Sequence, residues 1–417
     1  MSKKIALALI GLVVGIVGCS GGSSGLAPSG GPNILRKPSA MTAAGTTGTI
    51  SVGNMTAYLI NSATNAGPSF INFTPDGQLW FTQENNSGIG DLSIAGTSSW
   101  SILTGSQAFP QPAMPVVGAD GNIWFTEYGA NAIARFDPCT HVTTVFHTPT
   151  APSGPWEIVR GPDNALWFNE WSSPDGTYRL GRIDYQGNIT EYPLSGPVWK
   201  PITPAYLTFG PDGNLWFTEF GNGGVDAFSI TSHTVVKQFA ASNWNLDGHS
   251  PQEPPKPNQI VVGPDNNIWW VDSGTGELAE ISPSDPGSTG LAYGAQHGPD
   301  KEIYFQSYNP FNANVNWAAH LATGPDGNLW VVDAPADHVM VYSPNQAVAG
   351  VATPSPLATY TMSTLGITPG QANCEPGVTP GSCIGVSGLF PFGIVAGPDG
   401  RMWVALYNGN AVVAIKP

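Results

Sequence analysis

The chain has 417 residues, only 10% of them charged, while Gly (52), Pro (39) and Trp (14) are plentiful, a composition of short strands and tight turns rather than of helices. The formal net charge of −15 excludes nucleic acid as a partner, because phosphate binding needs a basic surface. The acidity suits solubility outside the cytoplasm better than recognition of a cationic ligand.

At the N-terminus, Lys3 and Lys4 precede an apolar run from Ile5 to Val17, too short and wrongly flanked to span a membrane. Residues 1–18 therefore read as a secretion signal. Ile16-Val17-Gly18-Cys19 has the form of a bacterial lipoprotein cleavage box, which predicts Cys19 as an acylated first mature residue on the extracytoplasmic side. Acyl chains contribute roughly 0.8 kcal/mol per buried CH₂, so a multiply acylated Cys19 would hold the protein on a membrane surface. Residues 19–46, rich in Ser, Gly and Pro, are expected to be a flexible tether, and 47–417 the folded region.

Within the folded region a single pattern recurs. Trp80, Trp124, Trp167, Trp216, Trp269, Trp330 and Trp403 share a local unit whose fullest copy runs Gly210-Pro211-Asp212-Gly213-Asn214-Leu215-Trp216-Phe217-Thr218-Glu219. The intervals are 44, 43, 49, 53, 61 and 73 residues, near the length of a four-stranded propeller blade, with insertions in the later copies. Pro211 presets φ for a turn, Asp212 suits the next place, and Gly213 supplies a left-handed conformation that Asn164 or Asn266 takes over in two copies. A short apolar strand, Leu207 to Phe209, precedes the turn and an apolar-aromatic one, Leu215 to Glu219, follows it. Arg179–Ile183 and Ile189–Tyr192 show the third and fourth strands.

These elements predict an all-β, seven-bladed β-propeller of four-stranded antiparallel blades, because a blade cannot bury both faces alone. The last copy stops after a third strand, Ala411–Ile415, and Met55–Ile60 is expected to close that blade from the N-terminus, removing an open edge. Gly298-Pro299-Asp300 resembles an eighth copy. Only 26 residues separate Asp300 from Asp326, however, so Ile303–Tyr308 is assigned to the outer strand of blade five.

Cys374 and Cys383 flank a Pro/Gly-rich stretch and are expected to pair in an oxidising compartment, while Cys139 is left over as a small buried filler. No Cys/His spacing fits zinc. Gln83, Glu127, Glu170, Glu219, Asp272 and Asp333 recur at the end of the Trp strand. Such repetition points to structural partners for turn amides, or for Arg135 and Arg182, rather than to a cation-binding ring.

The repeat unit, with Leu180-Gly181-Arg182-Ile183 and Thr190-Glu191-Tyr192-Pro193, resembles the virginiamycin B lyase (streptogramin lyase) family over roughly residues 55–417. The resemblance implies a seven-bladed propeller that linearises cyclic streptogramin B depsipeptides by elimination, aided by Mg²⁺ and using two histidines and a glutamate. In the family the histidines take the second place of a Pro-His-x-Ile motif opening the inner strands of the last two blades, and the glutamate follows the last Trp strand. Here Pro391-Phe392-Gly393-Ile394 puts Phe392 at one histidine place. Ala318-Ala319-His320-Leu321 puts Ala319 at the other, and Tyr407 falls on the glutamate place. Mg²⁺ is expected only if lyase-like activity is retained.

Around the ring the second place reads Ser69, Ala113, Trp156, Ala205, Asn258, Ala319 and Phe392, with no base for an elimination near neutral pH. Trp156 and Phe392 offer stacking surfaces for a ligand, with Ser69 and Asn258 to orient it. Glu157 and His320, one place further on, are the only titratable groups near the axis and the weak candidates for catalysis. Three functions remain open: a monomer that binds a small molecule or a cell-envelope protein, a lyase or hydrolase of cyclic peptides or lactones through a relocated site, and an envelope scaffold acting through insertions 240–257 and 343–390. No partner is a nucleic acid, and the membrane is met through the lipid anchor alone.

Overall fold

The structure is a computed structural model that describes residues 34–35, 49–60, 67–75, 77–83, 88–93, 98–102, 111–172, 175–194, 202–221, 223–241, 255–287, 298–304, 319–348, 354–368 and 388–417. Two compact units divide the chain, Met1–Gly31 and Pro32–Pro417, and every described residue lies in the second. Cys19, Cys374 and Cys383 lie outside the described residues, so the acylation and the predicted disulfide fall there too.

Seven antiparallel sheets form; in five the strands run in sequence order from the axis outwards, and in blades two and seven strands from the N-terminal side of the chain are added at the outer edge. Blade four is representative, with strands Pro204–Phe209, Leu215–Glu219, Gly224–Ser229 and Thr234–Ala240. The seven innermost strands are Pro68–Phe73, Pro112–Val117, Pro155–Arg160, Pro204–Phe209, Pro257–Val262, Ala319–Thr323 and Pro391–Ala396. Each contacts its neighbours, the seventh meeting the first, so the ring is closed. Met55–Leu59 pairs with Ala411–Ile415 from Met55↔Ile415 to Leu59↔Ala411, as expected for the closing strand. Thr49–Val52 adds a fifth strand outside it. Lys301–Tyr304 is the outer strand of blade five, which removes the eighth-blade reading. Ile34–Leu35, inside the predicted tether, pairs with Val142–His147 of blade two.

The repeat unit builds one local lock. In six blades the turn aspartate accepts a hydrogen bond from the indole nitrogen four residues on, as in Asp212 and Trp216 at 3.0 Å or Asp163 and Trp167 at 3.1 Å. This satisfies the one polar atom of a side chain that is otherwise fully buried. Gly210 is required beside the lock because a Cβ there would run into the Trp216 indole nitrogen. Gly213, Asn164 and Asn266 have φ of 77°, 57° and 62°, the left-handed conformation their residue types favour. An outer-strand aromatic then stacks on the tryptophan in five blades, for example Trp167 on Tyr192 at 5.3 Å and Trp403 on Tyr58 at 5.4 Å.

Two expectations are corrected. Cys139 is exposed and disulfide-bonded rather than a buried filler, and its partner lies outside the described residues. It sits in the tight turn after Asp137, where a side chain points to solvent. Arg135 and Arg182 do not serve the carboxylates that end the Trp strands. Register places each opposite a tryptophan, Arg135↔Trp124 and Arg182↔Trp167, so Arg135 lies over the Trp124 ring while Arg182 pairs with Asp163 at 2.7 Å. The acids themselves do serve turn amides, Asp272 accepting from Lys256, Gly274 and Thr275, and Asp333 from Ala336.

Candidate functional site

The innermost strands are bound to one another by side chains. Thr126 donates to the Trp156 carbonyl at 2.6 Å, Asn169 to those of Pro204 and Ala205, and Thr323 to that of Val262 at 2.7 Å. In most blades a bulge interrupts pairing just after the opening residue, between Pro155 and Ile158, for example. Blade six has none: Ala319 pairs with Asp333 and His320 with Val332, in step. The bulge breaks simple alternation. In every blade but the fourth the third place, Phe70, Met114, Glu157, Gln259, His320 or Gly393, belongs to the lining of the central cavity, in blade six without a bulge.

That cavity has a volume of about 430 Å³, in the range of small-molecule sites. Its walls mix apolar residues such as Met114, Val261 and Ile394 with the polar Asn72, Glu157, Arg160, Gln259, His320 and Thr323. Glu157 and His320, each 2% exposed, stand in this lining with Gln259 between them in chain order, on blades three, six and five. Glu157 Oε1 accepts from Gln259 Nε2 at 3.2 Å, and its Oε2 accepts from the backbone amide of Leu207 in the next blade. Burial pushes the Glu157 carboxyl up to about 8, against the opposing pull of those two hydrogen bonds. Burial likewise pushes the His320 imidazole down to about 3, leaving it neutral, and its Nε2 has no hydrogen-bond partner.

The two ends of the channel differ. At the opening ends of the strands Ser69, Ala113, Trp156, Ala205, Asn258 and Phe392 are all buried and outside the cavity lining. Phe392 packs on His320 at 4.4 Å and on Phe70 at 5.1 Å, and Phe70 meets Trp156 edge-on at 5.7 Å. Tyr407 joins the same cluster through Phe390 and Phe392. Ser69 is held by Thr82 at 2.9 Å. Towards the other end Asn72, Val159, Val262, Thr323 and Ala396 are half-exposed and Arg160 is exposed, so the cavity meets solvent there. Insertions 240–257 and 343–390 fall largely outside the described residues.

A family model described as the virginiamycin B lyase family matches residues 40–281, more than half of the chain. The chain belongs to that family. A virginiamycin B lyase from Nocardia farcinica (strain IFM 10152) is 34% identical over 119 residues, 28% of this chain and 39% of that protein. The match thus spans about two-fifths of the relative's length. Among solved structures, selenomethionine-substituted virginiamycin B lyase from Staphylococcus aureus superposes with a TM-score of 0.63 at 21% identity, over 87% of this chain and 99% of that one. A streptogramin B lyase structure gives 0.61 at 21% identity, over 87% and 97%. At such identity the superpositions establish a shared propeller fold.

The places at which the family resemblance leads one to expect two histidines and a glutamate are Ala319, Phe392 and Tyr407. Magnesium takes oxygen ligands, above all carboxylates, and these three side chains offer none. No group of three or more His, Cys, Asp or Glu among the described residues is arranged to hold a metal ion. The donor set does not fit the ion that the family's chemistry implies.

Proposed function

We propose that this chain is an exported, lipid-anchored propeller of the virginiamycin B lyase family that binds a ligand in its central channel and does without the family's elimination chemistry. The observation that carries this reading is the packing of Phe392. At a place given to a histidine in the family, an aromatic ring lies against His320 and Phe70 and closes the mouth where a cyclic depsipeptide would meet a base. An elimination needs a base within hydrogen-bond reach of the departing proton, and Ala319, Phe392 and Tyr407 supply none at neutral pH. His320, held near 3, is too weak a base to replace them. The cavity, by contrast, is walled, of ligand size and open at the far end.

A catalytically inactive histidine-to-alanine virginiamycin B lyase from Staphylococcus aureus has been solved with quinupristin, which makes that compound the apt probe. Incubating the purified chain with quinupristin and Mg²⁺ is expected to return the cyclic compound unchanged in chromatography with fragment mass spectra. A linear isomer would overturn the reading. For the anchor, Cys19→Ser is expected to shift the protein from the membrane to the soluble fraction of a bacterial host, and an unchanged distribution would contradict anchoring.

A further inference from the structure

We infer that the inner end of the central cavity is a binding site for a primary ammonium group carried on a compact apolar body. The inference rests on the channel-binding reading above and names the chemistry of its ligand.

Three polar side chains from three blades line one cavity there. Glu157 brings a carboxyl, Gln259 an amide whose Oε1 has no partner, and His320 an imidazole whose Nε2 has no partner. Both of those atoms are buried, and a buried polar group without a partner costs about 1–3 kcal/mol. A ligand that satisfied them would recover that cost. Gln259 Oε1 can only accept. His320 cannot gain a proton in this setting, so with its proton on Nδ1 its Nε2 accepts as well. Glu157 is an acceptor whenever ionised, and the groups that hydrogen-bond it, an amide side chain and a backbone N–H, are both neutral.

An ammonium presents three N–H donors to three acceptors and a charge to a carboxylate that lacks one. A hydroxyl has a single donor and leaves two acceptors unmet. Once Glu157 is ionised, above about pH 8, a carboxylate ligand would face it with like charge. The cation on the cavity lining, Arg160, stands three residues further along the same strand, roughly 10 Å away, at the exposed end. Phe70 lines the inner end and adds an aromatic ring of the kind that attracts cations. Beyond the head group the lining includes Met114, Val261 and Ile394, apolar residues that can flank an alkyl or aryl-alkyl body. A net charge of −15 favours approach of a cation over an anion.

The test compares 4-phenylbutylamine with 4-phenylbutanol, matched in shape and differing at the head group, by titration calorimetry at pH 9, above the value of about 8 to which burial raises Glu157 and below that of a primary ammonium, on the unaltered chain and on Glu157→Gln. Glutamine keeps an oxygen for the Leu207 amide and removes the charge. The amine is expected to bind the unaltered chain at least about ten-fold more tightly than the alcohol, and Glu157→Gln to abolish that difference while leaving the alcohol's affinity in place. Equal affinities on the unaltered chain would overturn the ammonium assignment while leaving channel binding standing. Binding of neither compound would overturn the assignment too, and quinupristin turnover would separately overturn the channel reading. Because the head-group comparison is made on the unaltered chain, the outcome does not depend on how well the variant folds.

Discussion

At the scale of single residues, the acids buried in this propeller make its stability depend on pH in an unusual direction. Burial raises Glu127 to about 7, Glu157 and Glu170 to about 8, and Asp272 to about 6, a neighbouring Glu191 adding to the effect at Glu170. A carboxyl whose folded value lies above its unfolded one keeps its proton longer in the folded state, so it stabilises most below about 4.5 and that contribution is lost as pH rises through the folded value. His320 works the opposite way, its contribution being complete above 6.5 and lost as pH falls towards 3. Between pH 6.5 and 8.5 Glu127, Glu157 and Glu170 give up protons in the folded state that the unfolded chain has already lost. The thermal midpoint is therefore expected to fall across that window, and Glu157→Gln to flatten the slope; a midpoint that rises from pH 6.5 to 8.5 would contradict the assignment. None of this is legible in the string of letters. Recurrence of an acid at the end of five Trp strands points to the turn-amide role found for Asp272 and Asp333, but not to which acids lack a cation, because register alone decides that Arg135 and Arg182 face tryptophans.

Individual strands can be read from sequence with bounds close to those found. Leu215–Glu219 and Arg179–Ile183 match to the residue, since strong turn chemistry at Asp212-Gly213 and Asp175-Gly176 fixes where a strand can begin. The innermost strands are harder. Counting by alternation puts the second place at the axis, whereas in six blades a bulge after the opening residue resets the alternation, and in blade six the third place reaches the channel without one. A proline opens each of the six bulged strands and Ala319 the straight one, a mark that simple alternation passes over, so counting alone makes Glu157 and His320 only secondary candidates. The closing strand, by contrast, follows from the missing fourth strand of the last repeat. Ala57 lies fully buried between Thr49–Val52 and Ala411–Ile415. Ala57→Pro removes an amide from this ladder and leaves a buried carbonyl without its partner, a loss of about 1–3 kcal/mol. A lowered denaturant midpoint with an unchanged slope is the expected result. An unaltered midpoint would show that the two termini do not share a sheet.

The molecule as a whole is a closed ring whose centre is sealed by aromatic side chains at one end and open at the other. Sequence periodicity establishes the ring, because seven tryptophans in one motif leave little freedom in how the blades repeat. It cannot establish which end of the channel is open, since that depends on rings meeting from blades one, three, six and seven: Phe70, Trp156, His320 and Phe392 are far apart in the chain and join only on closure. The same geometry underlies the function proposed for this family member, a site reached from the half-exposed face and not from the end where Phe392 packs on His320. Thiol labelling tests it directly. Cysteine is placed at Val262, on the half-exposed side, or at Ser69, on the sealed side, and each variant is treated with a small maleimide under native conditions. The account predicts rapid labelling of Val262→Cys over the background of the unaltered chain and labelling of Ser69→Cys only after unfolding; comparable native rates at the two positions would contradict it.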